Sequence, residues 1–100
     1  MKTRTEGDTL IVTDFTELNT TNSMWLQDLV NQSLAPAHKV VELDLSKVKF
    51  MDSNGISTLI SIHKTLCKRG GKIRLTRPMP AVSHVLHLLS MNEVFEIINP

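Results

Sequence analysis

The residues best placed to do chemistry stand together at Asp52-Ser53-Asn54-Gly55. Short side chains of these types accept hydrogen bonds from the free N–H groups of a helix start, and a glycine leaves backbone open to another molecule. A serine hydroxyl at the positive end of a helix can serve as a nucleophile, as a phosphoryl acceptor, or as part of a cap. The first role needs a base within hydrogen-bond reach. His63 lies ten residues further along the expected helix, roughly 15 Å along its axis at the usual rise. His84 and His87 belong to a different helix, and no G-x-S-x-G elbow surrounds the serine. Enzymatic chemistry is therefore not expected. A phosphoryl group would add about −1.5 to −2 charges, and a helix N-terminus can hold such an anion without unfolding the domain.

Other chemistries have weaker support. The four histidines and single cysteine show no zinc-site spacing; His84 and His87 are the one local pair, and surface histidines are expected. Gly70-Gly71 follows a helix and precedes a strand, the reverse of a phosphate-cradling loop. No metal or cofactor is called for.

The elements that must position Ser53 follow from periodicity. Val40-Val41-Glu42-Leu43-Asp44-Leu45 alternates as a strand, and Ser46 to Phe50 crosses the sheet's end. The helix from about Ser53 to Lys68 carries Ile56, Leu59, Ile60, His63 and Cys67 at helical spacing, which places Cys67 in the core as a reduced thiol. Its opposite face, with Asn54, Ser57, Thr58, Ser61 and Thr65, is small and polar, suited to close approach by a partner, with Ile62 as an apolar anchor. Gly70-Gly71 ends the helix with a left-handed cap.

Upstream, residues 1–13 read as an edge hairpin in which Thr3 and Thr5 alternate and Glu6-Gly7-Asp8 turns, and Asp14 to Asn19 as a connection. Thr20-Thr21-Asn22-Ser23 offers caps for a first helix to about Leu34, with Leu26, Leu29, Val30 and Leu34 inward. Trp25 lies partly off that stripe, either a lid over the core edge, the favoured reading, or a contact residue. Downstream come a strand at Lys72-Ile73-Arg74-Leu75, a third helix opened by Pro78 and Pro80 with Val82, Val85, Leu86 and Leu89 inward, and a last strand at Phe95-Glu96-Ile97-Ile98. The order β-β-α-β-α-β-α-β makes a single α/β domain over residues 1–100: a mostly parallel mixed sheet of about five strands with helices packed on it.

Composition agrees. One hundred residues at 41% apolar content support one core. Residues 1–50 carry five Lys/Arg against seven Asp/Glu, and residues 51–100 six against three. The basic excess has no aromatic residue interleaved, which reads as a solvated rim and not a nucleic-acid surface. No run reaches the roughly 20 apolar residues that cross a bilayer, and no signal segment opens the chain, so a cytoplasmic protein without membrane insertion is expected.

The run Val41-Glu42-Leu43-Asp44-Leu45-Ser46-Lys47-Val48-Lys49-Phe50-Met51-Asp52-Ser53-Asn54-Gly55-Ile56 resembles the signature of STAS domains of the anti-sigma factor antagonist family, approximately D-L-S-x-V-x-F-M-D-S-S-G-L. Gly70-Gly71-Lys72-Ile73, Pro80-Ala81-Val82 with Val85-Leu86, and Val94-Phe95-Glu96-Ile97 extend the likeness over nearly the whole chain. The resemblance implies phosphorylation of Ser53, beside Asp52, by a serine kinase of histidine-kinase-like ATPase fold that is also the anti-sigma factor. Only the unphosphorylated protein would bind that kinase and free a sigma factor, and a PP2C-type phosphatase would restore it. The resemblance also admits a constitutive scaffold subunit of a larger assembly, such as a lipid-transporting ABC complex or a signalling complex, though an intact serine in the acceptor position favours the switch. Two departures stand out. Thr16-Glu17-Leu18-Asn19 replaces the family's G-E-L-D, and Asn54 replaces the second serine of D-S-S-G, leaving Ser53 as the acceptor. The partner-binding set expected around Ser53 is Asp52, Asn54, Gly55, Ser57, Thr58, Ser61 and Ile62, with Asn19 and Asn22 from the preceding loop.

Overall fold

Alternating β-branched and polar residues build a hairpin, β1 (Lys2–Glu6) and β2 (Thr9–Thr13), in a computed structural model that describes residues 1–98. Gly7 takes the turn at φ 60, a left-handed conformation that costs a glycine little. Every residue of β1 is exposed, as befits an edge. From β2 onward the pairing is parallel: β2 with β4 (Val40–Asp44), β4 with β6 (Lys72–Thr76), and β6 with β7 (Glu96–Ile98), in spatial order β1-β2-β4-β6-β7. The crossovers are α1 (Ser23–Ser33), α2 (Ser53–Cys67) and α3 (Pro80–Leu88). The expected mixed five-strand sheet with three helices is what forms. Period-two alternation sends Leu10, Val12, Val41, Leu43, Ile73 and Leu75 to one face, where they join Leu26, Val30, Leu59, Leu66 and Leu86 of the helices in the core. On the other face one row runs Arg4, Ile11, Glu42, Arg74, Glu96 across all five strands. Arg74 there pairs with Glu42 at 3.2 Å and Glu96 at 3.4 Å, Lys72 pairs with Glu96, and Arg77 with Asp44 at 2.7 Å. Half of the basic residues of the second half are thus engaged with carboxylates.

The connections hold more structure than expected. Glu17–Leu18 forms a two-residue strand, β3, paired in parallel with β5 (Phe50–Met51). Both segments read as connections in the sequence, because two residues are too short to show a period.

Side-chain placement departs from expectation at five points. Leu89, expected inward on the third helix, is 50% exposed, because α3 ends at Leu88 and leaves Leu89 at its C-cap. The buried side of α2 is Gly55, Ile56, Thr58, Leu59, Ile62 and Leu66. Ile60 and His63 are half-buried, and Cys67 is exposed and not a core thiol. Two stripes compatible with a helical period overlap in this stretch, and the capping and strand contacts at its start rotate the helix toward the one that includes Ile62. Cys67 Sγ instead lies 3.3 Å from His63 Nε2, and the His63 ring meets Phe95 edge-on at 5.7 Å. Trp25 is 70% exposed, so it is no lid. Ser23, Leu26 and Val30 set the inward direction of α1, and Trp25 sits about 100° from Leu26. His38 is buried, contrary to the surface placement expected of the histidines. Its Nδ1 accepts from the Ala35 N–H at 2.8 Å, and Nε2 lies 3.0 Å from Thr5 Oγ1. His84 and His87 are exposed. The close of α2 is as expected: Gly70 adopts φ 73, and the Gly71 N–H donates to the Leu66 carbonyl at 2.8 Å.

Candidate functional site

Three polar residues in a row open α2, and the fold gives each a different job. Asp52 is the N-cap: its Oδ1 accepts from the Gly55 N–H at 3.0 Å, satisfying one of the free donors of the first turn. Its other oxygen accepts from both the N–H and the hydroxyl of Thr20 at 3.3 Å. Asn54 donates to that hydroxyl at 2.7 Å. Thr20 therefore bridges the loop before α1 to the start of α2. The Gly55 N–H above all, against an opposing desolvation and with help from the Thr20 N–H and hydroxyl and the Asn54 N–H, holds the Asp52 carboxyl below its ordinary range, so it is ionised at neutral pH.

Ser53 is left over. It is the first residue of α2, it is exposed, and its hydroxyl makes no hydrogen bond among the described residues. With capping assigned to Asp52 and bridging to Asn54, the hydroxyl is free at a positive helix end.

The rest of the expected partner set divides. Asn54 and Ser57 are exposed beside Ser53. Ser61 is half-buried, its hydroxyl accepting from Gln27 Nε2 at 3.0 Å across the α1–α2 seam. Thr58 is 6% and Ile62 2% exposed; both belong to the interior, because the rotation of α2 turns them onto the core. Gly55 is buried too. A Cβ there would overlap the Leu18 carbonyl oxygen, so the glycine admits β3 and not an outside molecule. Asn22 is buried, accepting from the Asn19 N–H at 3.0 Å and donating to the Glu17 carbonyl, which makes it a clamp inside the loop. Asn19 is half-buried, donating to Glu17 Oε2 at 3.1 Å and accepting from the Thr21 N–H at 2.9 Å.

Two residues at the site escaped the sequence reading. Thr20 was visible only as one of four cap candidates, while α1 starts at Ser23 with no side-chain cap bond. Phe50, 58% exposed three residues before Ser53, is turned out of the core by the alternation that turns Met51 in. Among the described residues no group of three or more His, Cys, Asp or Glu could hold a metal ion, and no helix is long and apolar enough to cross a membrane.

The mixed five-strand sheet with its edge hairpin and three helices is the fold of a STAS domain, and the chain belongs to that family: the STAS family model matches residues 1–99. Among solved structures, a Thermotoga maritima protein assigned as an anti-sigma factor antagonist superposes with a TM-score of 0.87 at 24% identity, covering 99% of this chain and 86% of that one. The anti-sigma factor antagonist SpoIIAA in its unphosphorylated form superposes at 0.77 with 16% identity, covering 99% and 87%. The murine anion transporter Slc26a9 contains the same fold, at 0.73 and 24% identity over 85% of this chain but 14% of that one. At these identities the likeness is one of fold.

Proposed function

We propose that this chain is a non-enzymatic anti-sigma factor antagonist, switched by phosphorylation at Ser53. Its unphosphorylated form binds a serine kinase of histidine-kinase-like ATPase fold that is also the anti-sigma factor, and so releases a sigma factor. Phosphorylation ends the binding, and a PP2C-type phosphatase restores it, all in the cytoplasm. One observation carries the reading: Ser53 is exposed and unbonded at the helix start while Asp52 alone caps it. A phosphoryl group at Ser53 leaves the fold's hydrogen bonds in place. It adds about −1.5 to −2 charges beside an ionised Asp52, and a partner fitted to the neutral surface then meets repulsion and a desolvation cost. The surface available to that partner is Ser53, Asn54 and Ser57 with the Asn19–Thr21 loop.

The occurrence of this fold as part of an anion-transporter chain favours a second reading, a constitutive part of a larger assembly, for which the family resemblance suggests a lipid-transporting ABC complex or a signalling complex. The two separate in one experiment. The protein is mixed with histidine-kinase-like ATPases of its host and ATP, the phosphate is located by mass spectrometry, and binding is measured with ADP. Expected are phosphate on Ser53, none on Ser53→Ala, and at least about tenfold weaker binding by Ser53→Asp. Phosphate on Ser53→Ala would refute the acceptor, and Ser53→Asp binding as tightly as the parent would refute the switch.

A further inference from the structure

On the other flank of the junction from the Thr20 loop lies a pocket of about 120 Å³, walled by Lys49, Phe50 and Met51 on one side and by Ala81, Val82 and Val85 of α3 on the other. We propose that this pocket receives an aliphatic side chain of the kinase that phosphorylates Ser53. The inference rests on the reading above and names where its partner docks.

Reach is the first argument. Phe50 and Ser53 are three residues apart in the sequence, so their Cα atoms stand at most about 10 Å apart even in extended chain. A protein interface of standard size covers about 800 Å² per partner, a disc roughly 16 Å in radius. A kinase footprint centred on the Ser53 hydroxyl therefore reaches Phe50, the exposed residue that lines the pocket. Chemistry is the second. Five of the six lining residues are apolar, and Phe50 remains 58% exposed, an aromatic wall held out toward water by its two-residue strand. Buried aromatic contacts of this kind dominate binding energy when a partner dries them. Size then narrows the occupant. A closed cavity of about 150 Å³ holds a benzene ring, so a volume of about 120 Å³ is of the size that a Leu, Ile or Met side chain fills. Charge narrows it further: Lys49 lines the pocket and is exposed, which favours a carboxylate beside the aliphatic anchor on the kinase.

The test measures binding, in ADP, of the ATPase that phosphorylates Ser53 in the labelling experiment. Ala81 is exposed in the first turn of α3, so Ala81→Phe fills the mouth from the surface; thermal melts establish that each variant folds. Ala81→Phe is expected to weaken binding about tenfold or more, Phe50→Ala similarly, and Lys49→Glu several-fold with a salt dependence, while Arg4→Ala, on the exposed edge strand β1, stays within about twofold. Lys49→Glu, a surface change, keeps the test open if a pocket variant misfolds. If Ala81→Phe, Phe50→Ala and Lys49→Glu all bind like the parent while Ser53→Asp has lost binding, the pocket is overturned and the switch stands. If Ala81→Phe loses binding while Ser53→Asp keeps it, the pocket stands as a docking site and the switch is overturned.

Discussion

Replacing Gly55 with alanine sets two effects of known size against each other. Alanine is the better helix former by about 0.8–1 kcal/mol, so a surface helix would gain. At Gly55 the added Cβ would overlap the Leu18 carbonyl oxygen and lie 2.9 Å from the carbonyl carbon and 3.0 Å from Leu18 Cγ. The backbone of β3 must then retreat. That retreat disrupts the hydrogen bond from the Asp52 N–H to the Leu18 carbonyl, 3.3 Å in the parent, and the pairing of Leu18 with Met51. Losing one such bond costs about 1 kcal/mol, and overpacking a fitted contact about 1–3 kcal/mol. Net destabilisation after the propensity gain is about 1–3 kcal/mol. For a domain of this size each kcal/mol moves the melting point by about 4–8 °C, so a drop of roughly 4–24 °C is expected by calorimetry, with a matching shift in a urea transition followed by circular dichroism. A Gly55→Ala protein that melts at or above the parent would refute the reasoning, since helix propensity would then outweigh any contact with β3.

Ile62→Ala should destabilise by about 2–5 kcal/mol, the usual cost of emptying a buried site, whereas Ser57→Ala on the exposed face should stay within about 0.5 kcal/mol; near-equal urea midpoints for the two would return Ile62 to the surface. The Asp52 carboxyl is depressed in the folded chain, chiefly by the Gly55 N–H. Its contribution to stability is therefore complete above the unfolded value of about 3.9 and is lost as pH falls through the folded one. Asp52→Ala should accordingly melt below the parent at neutral pH, with the gap closing below about pH 4. A gap that stays constant into that range would show that the ionised cap contributes nothing.

Element order and sheet composition were legible because each depends on a local period. The alternation through Val40–Asp44 and Lys72–Thr76 and the glycine stop at Gly70 are properties of a few neighbouring residues, and the structure keeps them. The junction was legible for the same reason, since strand, polar turn and helix follow one another within it. The facing of α2 was harder to read. Ile56 and Leu59 fit two stripes, one continuing through Ile60 and Cys67 and the other through Ile62 and Leu66, and period alone cannot choose between them. The choice is made by Leu18, thirty-seven residues upstream of Gly55. Trp25 and His38 were misplaced by the same kind of blindness. Hydrophobic character suggested a lid for the one and polarity a surface for the other, but exposure depends on which neighbours arrive.

The sequence by itself determined that this chain is an α/β domain presenting Asp52-Ser53-Asn54 at a helix start, because helix starts, strand alternation and glycine caps are short-range consequences of side-chain chemistry. Only the tertiary structure decided which of those three residues caps, which bridges and which stays free. That division rests on Thr20, brought against Asp52 and Asn54 from more than thirty residues away, and contacts of that separation are written in the fold and in no local period.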